Sequence, residues 1–427
     1  MDASIEGKIY INGSFEQGCM GINNGKITEI KKILKADNHF DFGNKLILPA
    51  GIDMHVHFRD PGLTQKEDFS TGSTAAAFGG ISCVFDMPNT IPPSTNIQTL
   101  NNKITDFNDK SITDYGLYAG VSNDNIKNIK NMAKKCNGFK IYLGNTTGSL
   151  LFYKKNLKSA ITEIGLTEKP ALFHAEDEEC LIQNKAQETN LADHLRFRPS
   201  CCEEISIKNI LDVCAGLNYK IHICHVSSCE GIELLKDRPR NITFGITPHH
   251  SLLSTDKELI TQNFYKVNPP IRTSFDRELL FNSLRRGLAD VIESDHAPHT
   301  KDEKDVVFDV SPSGVPGVET TYPMFLYMAK KEQISFQRVV SLLCNRPAEI
   351  LNIPKGKNQI YYDADFIVVD LKDECKIKSE KLHSKCGWTP YEDWPAIFPE
   401  TVFIRGEKVI DDYEIQVKQG YGKFVGA

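Results

Sequence analysis

The stretch Leu46-Ile47-Leu48-Pro49-Ala50-Gly51-Ile52-Asp53-Met54-His55-Val56-His57-Phe58-Arg59-Asp60-Pro61-Gly62 opens apolar and ends in two histidines, an arginine and a turn. Residues 46–52 read as a buried strand. Side chains two apart on a strand share a face, so His55 and His57 project together. Two imidazoles on one face at a strand end can hold a metal ion. Arg59 follows in what should be the loop above that strand. A metal pair beside a carboxylate-binding cation points to hydrolytic chemistry on a small anionic molecule.

Outward from this stretch, the centre of the chain alternates short apolar segments with longer amphipathic ones. Eight candidate strands emerge, at 52–57, 82–87, 115–119, 139–143, 171–174, 220–226, 242–247 and 290–294. Eight βα repeats over roughly 300 residues fit a (β/α)8 barrel. At the third and seventh strands a doubly wound sheet would give much the same pattern. The flanks read differently. Asn24-Gly25 between apolar residues is a hairpin signal, and Ala364-Asp365-Phe366-Ile367-Val368-Val369-Asp370 and 402–410 resemble the N-terminal segments. The expected organisation is a catalytic barrel over 50–354 and a smaller flanking β-sandwich built from 1–49 plus 355–427.

The 427 residues carry a net charge of -6, which gives no electrostatic reason to expect nucleic acid or an anionic membrane as partner. No apolar run approaches the roughly 20 residues of a membrane helix. The first eight residues lack a basic start and an apolar core, so a cytoplasmic protein is expected. Among the 12 cysteines, Cys83, Cys224 and Cys344 sit in apolar runs, Cys201 and Cys202 are adjacent, and no C-x-x-C pair occurs. Reduced thiols, with neither disulfides nor a zinc ribbon, are the expectation.

Polar groups fall at the strand ends, where a barrel builds its active site. Lys140 lies inside the fourth strand, flanked by Phe139 and Tyr142. An ammonium is costly to bury there, and a neutral amine can take up carbon dioxide to form a carbamate able to bridge two metals. A lysine that snorkels to the barrel mouth is the alternative. His174 ends the fifth strand and His225 the sixth, each a candidate imidazole ligand or a satisfied core histidine. His222, three residues before His225, is expected to point to the other side and to be structural. Packing or outer-shell roles are expected of His249 and His250. Asp295 ends the eighth strand, where an aspartate can bind metal, take a proton from bound water and pass it on; a helix cap is the bland alternative. Four histidines, one lysine and one aspartate on five strands are far more specific together than singly.

These residues resemble the amidohydrolase superfamily, and within it the dihydroorotases, over nearly the whole chain. The matching motifs are 51–62, Asp86-Met87-Pro88-Asn89-Thr90, Val267-Asn268-Pro269-Pro270-Ile271-Arg272, Ser294-Asp295-His296-Ala297-Pro298-His299 and Gly314-Val315-Pro316-Gly317-Val318-Glu319. The resemblance implies two zinc ions held by His55, His57, His174, His225 and Asp295, bridged by carboxylated Lys140 and a hydroxide. Some relatives lack the bridging lysine; Gly138-Phe139-Lys140-Ile141-Tyr142-Leu143-Gly144 is similar to the lysine type. Arg59, Asn89 and His299 would bind the substrate's α-carboxylate, and Asn268 with the backbone at Pro316 and Gly317 the ring amide. The implied reaction is reversible cyclisation of N-carbamoyl-L-aspartate to L-dihydroorotate in pyrimidine biosynthesis, with Asp295 moving the proton.

Allantoinase and dihydropyrimidinase share such a metal cage, and an inactive scaffold would share the fold; Arg59 and the complete ligand set favour the first reading. The expected partner is this small-molecule substrate. Self-association or association with aspartate transcarbamoylase would be consistent with the resemblance. The segment 300–316, charged at its start and rich in Gly and Pro at its end, is the candidate to close over substrate.

Overall fold

The computed structural model describes residues 1–146, 150–256 and 261–426. The chain begins with four strands, β1 (Ala3–Ile11), β2 (Ser14–Asn23), β3 (Lys26–Lys31) and β4 (Asn38–Pro49). Asn24 and Gly25 turn β2 into β3 with φ of 50° and 74°, the left-handed pair a tight hairpin requires. Eight strands then alternate with helices: β5 (Gly51–Val56), β6 (Ile81–Asp86), β7 (Asp114–Gly120), β8 (Gly138–Tyr142), β9 (Ala171–His174), β10 (Ile221–Ile223), β11 (Ile242–Ile246) and β12 (Val291–Ile292). They pair in parallel and in sequence order. The ring closes where Val56 bridges His296 and His57 N–H donates to His296 O at 2.8 Å. All eight expected strands form, and closure makes the architecture a (β/α)8 barrel rather than an open doubly wound sheet.

The tail supplies β13 (Phe366–Val369), a small antiparallel pair of β14 (Cys375–Lys376) with β15 (Pro395–Ala396), and then β16 (Thr401–Ile404), β17 (Glu407–Asp411) and β18 (Glu414–Ile415). Strands from both termini join in one eight-stranded sheet of order β18-β17-β16-β13-β4-β1-β2-β3. Strict alternation gives this sheet two apolar faces. Ile5, Ile9, Ile47, Phe366, Val368 and Phe403 form a cluster of its own. The intervening Tyr10, Leu46, Leu48, Ile367, Val402 and Ile404 instead join the main core with Phe78, Tyr322 and Phe325. A one-residue slip would exchange both faces, so register is tightly specified.

Inside the barrel, Ile52, Met54, Phe85, Tyr118, Leu172 and Val291 pack together with Ile350, Leu351 and the C-terminal Val425. The tail returns to the barrel: Lys423 O accepts from Tyr115 N–H, and Val425 N–H donates to Tyr115 O. Barrel and terminal sheet also share a buried ion cluster. Lys355 Nζ lies 2.7 Å from Asp114 on β7, 2.9 Å from Asp363 and 2.8 Å from Asp365, and Arg405 pairs with Asp114. Among the described residues no helix is long and apolar enough to cross a membrane.

One expectation is corrected. Cys180 and Cys202 form a disulfide, their Cα atoms 5.3 Å apart. They lie on the helices Glu178–Gln183 and Ser200–Cys214, which pack side by side. A separation of 22 residues carries no sign of that contact in sequence.

Lys355→Met would leave the buried carboxylates of Asp114 and Asp365 and the half-buried one of Asp363 without their shared cation. We expect a loss of about 3–5 kcal/mol in unfolding free energy, read as a lower urea midpoint; an unchanged midpoint would show that the cluster does not hold the two parts together.

Candidate active site

Parity alone would not bring the opening histidines inward. Ile52 and Met54, at even positions of β5, face the barrel interior. The β5–β6 register shifts between Asp53 and Val56, and this bulge turns the odd positions His55 and His57 into the barrel mouth. Asp53 fixes the bulge from below, accepting from His55 N–H at 3.1 Å and Ser294 N–H at 3.2 Å. Burial raises its carboxyl to about 7, against the pull of those donors.

His55, His57, Lys140, His174, His225 and Asp295 line one cavity with Arg59, Asn89, Tyr142, Thr146, Val267, Asn268, Ala297, Ser313 and Gly314. Asp295 Oδ1 lies 3.2 Å from His57 Nε2 and 3.4 Å from His55 Nε2. His174 Nδ1 and His225 Nε2 approach to 3.2 Å. Arg59, His225 and Asp295 hold left-handed backbones, φ of 61°, 39° and 45°. Such conformations cost about 1–2 kcal/mol each and persist where the surroundings over-determine them.

Three of the four imidazoles have the outer nitrogen occupied, which selects the nitrogen left for the cavity. His57 Nδ1 meets Asn89 Oδ1 at 2.7 Å, and His174 Nε2 meets Glu176 Oε2 at 2.8 Å. His55 Nδ1 meets Glu293 Oε2 at 3.3 Å. Burial, with Lys140 nearby, lowers His55 to about 4. Burial likewise depresses His57 and His174, and for His225 burial and the adjacent His174 act together. The rings are therefore neutral at pH 7, the state in which imidazole ligates metals. Asp295 runs the other way: burial opposes ionisation, yet His55 and His57 hold it well below the usual carboxylate range. His225 Nδ1 has no protein hydrogen-bond partner among the described residues. Neutral imidazoles converging with one carboxylate in a buried cavity fit a borderline-soft divalent ion such as zinc, with His55, His225 and Asp295 closest together.

Lys140 is fully buried on β8. Its Nζ stands 3.1 Å from Cys224 Sγ and 5.2 Å from the Tyr142 ring, and no carboxylate lies within 4.0 Å among the described residues. Arg59 is equally enclosed. Nε donates to Pro298 O and Nη2 meets His299 Nε2 at 3.1 Å, while no described carboxylate pairs with the guanidinium. His299 stands behind it, its Nδ1 3.0 Å from Lys66 Nζ. Burial and Arg59 push this imidazole down to about 3.

Pro316 and Gly317 are not among the residues that line this cavity. Gly317 N–H donates to His296 Nδ1 and its carbonyl accepts from Thr320 and Thr321. Ser313 and Gly314 stand at the cavity instead, because Lys304 ties that strap down: its Nζ donates to the carbonyls of Lys266, Pro312 and Gly314. The segment 300–316 thus contributes to the wall through its last third.

Glu293 is the residue that the motif reading misses. Besides His55 it accepts from His225 N–H and lies 3.5 Å from His222 Nε2. His222 therefore shares a side with the cage, contrary to strand alternation; β10 ends at Ile223 and His225 turns back with positive φ. His222 Nδ1 bonds Thr243, a supporting position. Space for Glu293 comes from Gly245, where a Cβ would fall 2.5 Å from its Oε1. Burial opposes its ionisation, but His55 and His222 keep it well below the ordinary glutamate range. A charged residue inside an apolar strand, facing a glycine on the neighbouring one, is the signal that could have found it. His250 bonds Thr247 and Pro269 O; the His249 ring lies against it, centroids 4.4 Å apart and tilted by 54°.

The sequence pattern of the amidohydrolase family matches residues 46–409. A dihydroorotase of Methanosarcina mazei is 37% identical, covering 98% of this chain and 96% of the relative. A dihydroorotase of Thermoplasma acidophilum is also 37% identical, covering 100% and 98%. Among solved structures, the L-hydantoinase (dihydropyrimidinase) of Arthrobacter aurescens superposes with a TM-score of 0.95 at 26% identity, covering 100% of both chains. A D-hydantoinase gives 0.91 at 25% identity, covering 99% and 98%.

Glu293→Gln keeps the volume and removes the anionic acceptor that orients His55. We expect zinc affinity, measured against a competing chelator, to fall about 10- to 100-fold with the fold retained by circular dichroism. Unchanged affinity would remove Glu293 from the support of the cage.

Proposed function

The chain belongs to the amidohydrolase family, and from that premise we propose that it is a dihydroorotase, interconverting N-carbamoyl-L-aspartate and L-dihydroorotate. The observation that carries this reading is Arg59, a guanidinium only 2% exposed, lining the metal-suited cavity with no carboxylate among the described residues paired to it. A buried fork of N–H donors recognises a planar carboxylate in two parallel bonds. Dihydroorotate carries such a group on its ring, whereas hydantoin and dihydrouracil do not. The dihydroorotase names of relatives at 37% identity agree with that charge. The hydantoinases share the barrel and differ in what must be recognised beside it.

His55, His57, His174, His225 and Asp295, with a carboxylated Lys140, would hold two zinc ions. When bound, zinc polarises the scissile carbonyl and lowers the pKa of water towards about 7. The chain's own groups do the rest. Arg59 anchors the α-carboxylate with His299 behind it, fixing which ring bond faces Asp295. Asn268, whose Oδ1 is buried without a protein partner among the described residues, is suited to accept from a ring N–H. In the hydrolytic direction water adds to the ring carbonyl and the C–N bond breaks. Asp295 takes the water's proton and delivers it to the departing nitrogen. Cyclisation runs through the same groups in reverse. Enclosure of these groups keeps bulk water from weakening each interaction.

Turnover of dihydroorotate, allantoin and dihydrouracil, assayed side by side, tests the substrate. We expect dihydroorotate to be strongly preferred, and Arg59→Ala to lose about 10²-fold or more in kcat/KM with metal content intact, as expected for a charged contact of about 3 kcal/mol. Equal turnover of the neutral rings, insensitive to Arg59, would favour a hydantoinase instead. Lys140 is tested separately: native mass measurement of the zinc-loaded protein should show the mass of one added carbon dioxide, absent in Lys140→Ala. A bare amine in the active, zinc-loaded protein would remove the carbamate.

A further inference from the structure

Away from the cavity, three sulfurs meet between the helices Glu178–Gln183 and Ser200–Cys214. Cys180 and Cys202 are bonded and buried, at 6% and 0% exposure. Cys201, by contrast, is exposed and free, and its Sγ lies 3.9 Å from Cys180 Sγ, with its thiol able to point at that sulfur. All three sulfurs fall within 4.8 Å of one another. We propose that Cys180, Cys201 and Cys202 form a thiol–disulfide exchange site, in which exposed Cys201 exchanges with buried Cys202 for the bond to Cys180 and serves as the port for small thiols.

The exchange is redox-neutral. Cys201 gives its proton to solvent, and its sulfur attacks Cys180 Sγ. The Cys180–Cys201 bond forms as the Cys180–Cys202 bond breaks. The electron pair leaves on the Cys202 sulfur, which takes up a proton. Thiolate attack on a disulfide sulfur depends on access as well as nucleophilicity. An external thiol has poor access to either sulfur of the buried bond. After exchange, one bonded sulfur is the exposed one, so a small thiol can attack Cys201 and release Cys180.

The site has a short physical path to the cage. Asp177 caps the first helix by accepting from Cys180 N–H at 3.0 Å, and its own N–H donates to Cys202 O at 2.9 Å. The preceding Glu176 bonds His174 and receives Arg198. The covalent tie therefore closes the segment between the end of β9 and the second helix. Exchange shifts that tie by one residue along the helix, a rotation of about 100° about its axis.

Acid quenching, differential alkylation and peptide mapping of the full chain read the linkage directly. In a buffer of reduced and oxidised glutathione, we expect both Cys180–Cys202 and Cys180–Cys201 linkages in the wild-type protein. Cys202→Ser should form Cys180–Cys201. Cys201→Ser, altered only at an exposed position, should keep Cys180–Cys202 but be reduced by glutathione about tenfold more slowly. A single wild-type linkage with Cys201 always alkylatable, or a Cys201→Ser protein reduced at the wild-type rate, would overturn the proposal.

Discussion

The seam that closes the barrel, where β5 meets the segment after β12, is the constraint on which the rest depends. His57 N–H bonds His296 O, Asp53 ties His55 N–H to Ser294 N–H, and Glu293 reaches His55 across the interior. Open this seam and His55 and His57 lose their position against Asp295. The last strand, β12, is only two residues long, so the side chains around it hold the closure as much as backbone pairing does. Buried Asp53 and Glu293 are tolerated there because each has donors on both sides of the seam.

The site above the seam is an electrostatic arrangement of neutral rings and fixed carboxylates. Burial removes the proton from His55, His57, His174 and His225, and outer partners on three of them decide which nitrogen faces inward. Glu176 does this for His174 while itself held by Arg198, so the charge behind the ring is paired rather than stranded. Arg59 is the contrast. Its only described polar partners are Pro298 O and His299, and a buried guanidinium with so little anionic company is poised for an anion from outside.

Much of the fold is legible along the chain because burial on both faces writes parallel barrel strands as apolar runs, while the terminal sheet writes alternation. The ligand histidines and Asp295 are legible for a related reason: polar residues are rare at the ends of such runs. Glu293 is not, since its importance comes from Gly245 on a neighbouring strand and from two histidines elsewhere. The inward turn of His55 and His57 is legible only in outcome, because the bulge that produces it depends on pairing with β6. Gly317 shows the converse. A motif residue close in sequence to the cavity spends its N–H on His296 Nδ1, a partner that spacing along the chain does not name.

Sequence by itself determined what period two and residue chemistry can write: eight barrel strands, a sheet shared by both termini, and imidazoles, a carboxylate and a cation at strand ends. Tertiary structure alone decided which polar atoms meet. It set the seam, the partner behind each imidazole, the strap that Lys304 draws to the cavity and the disulfide joining Cys180 to Cys202. The physical reason is range. Periodicity and local propensity act over a few residues, whereas hydrogen bonds and sulfur contacts act over a few ångströms between segments that only the closed barrel brings together.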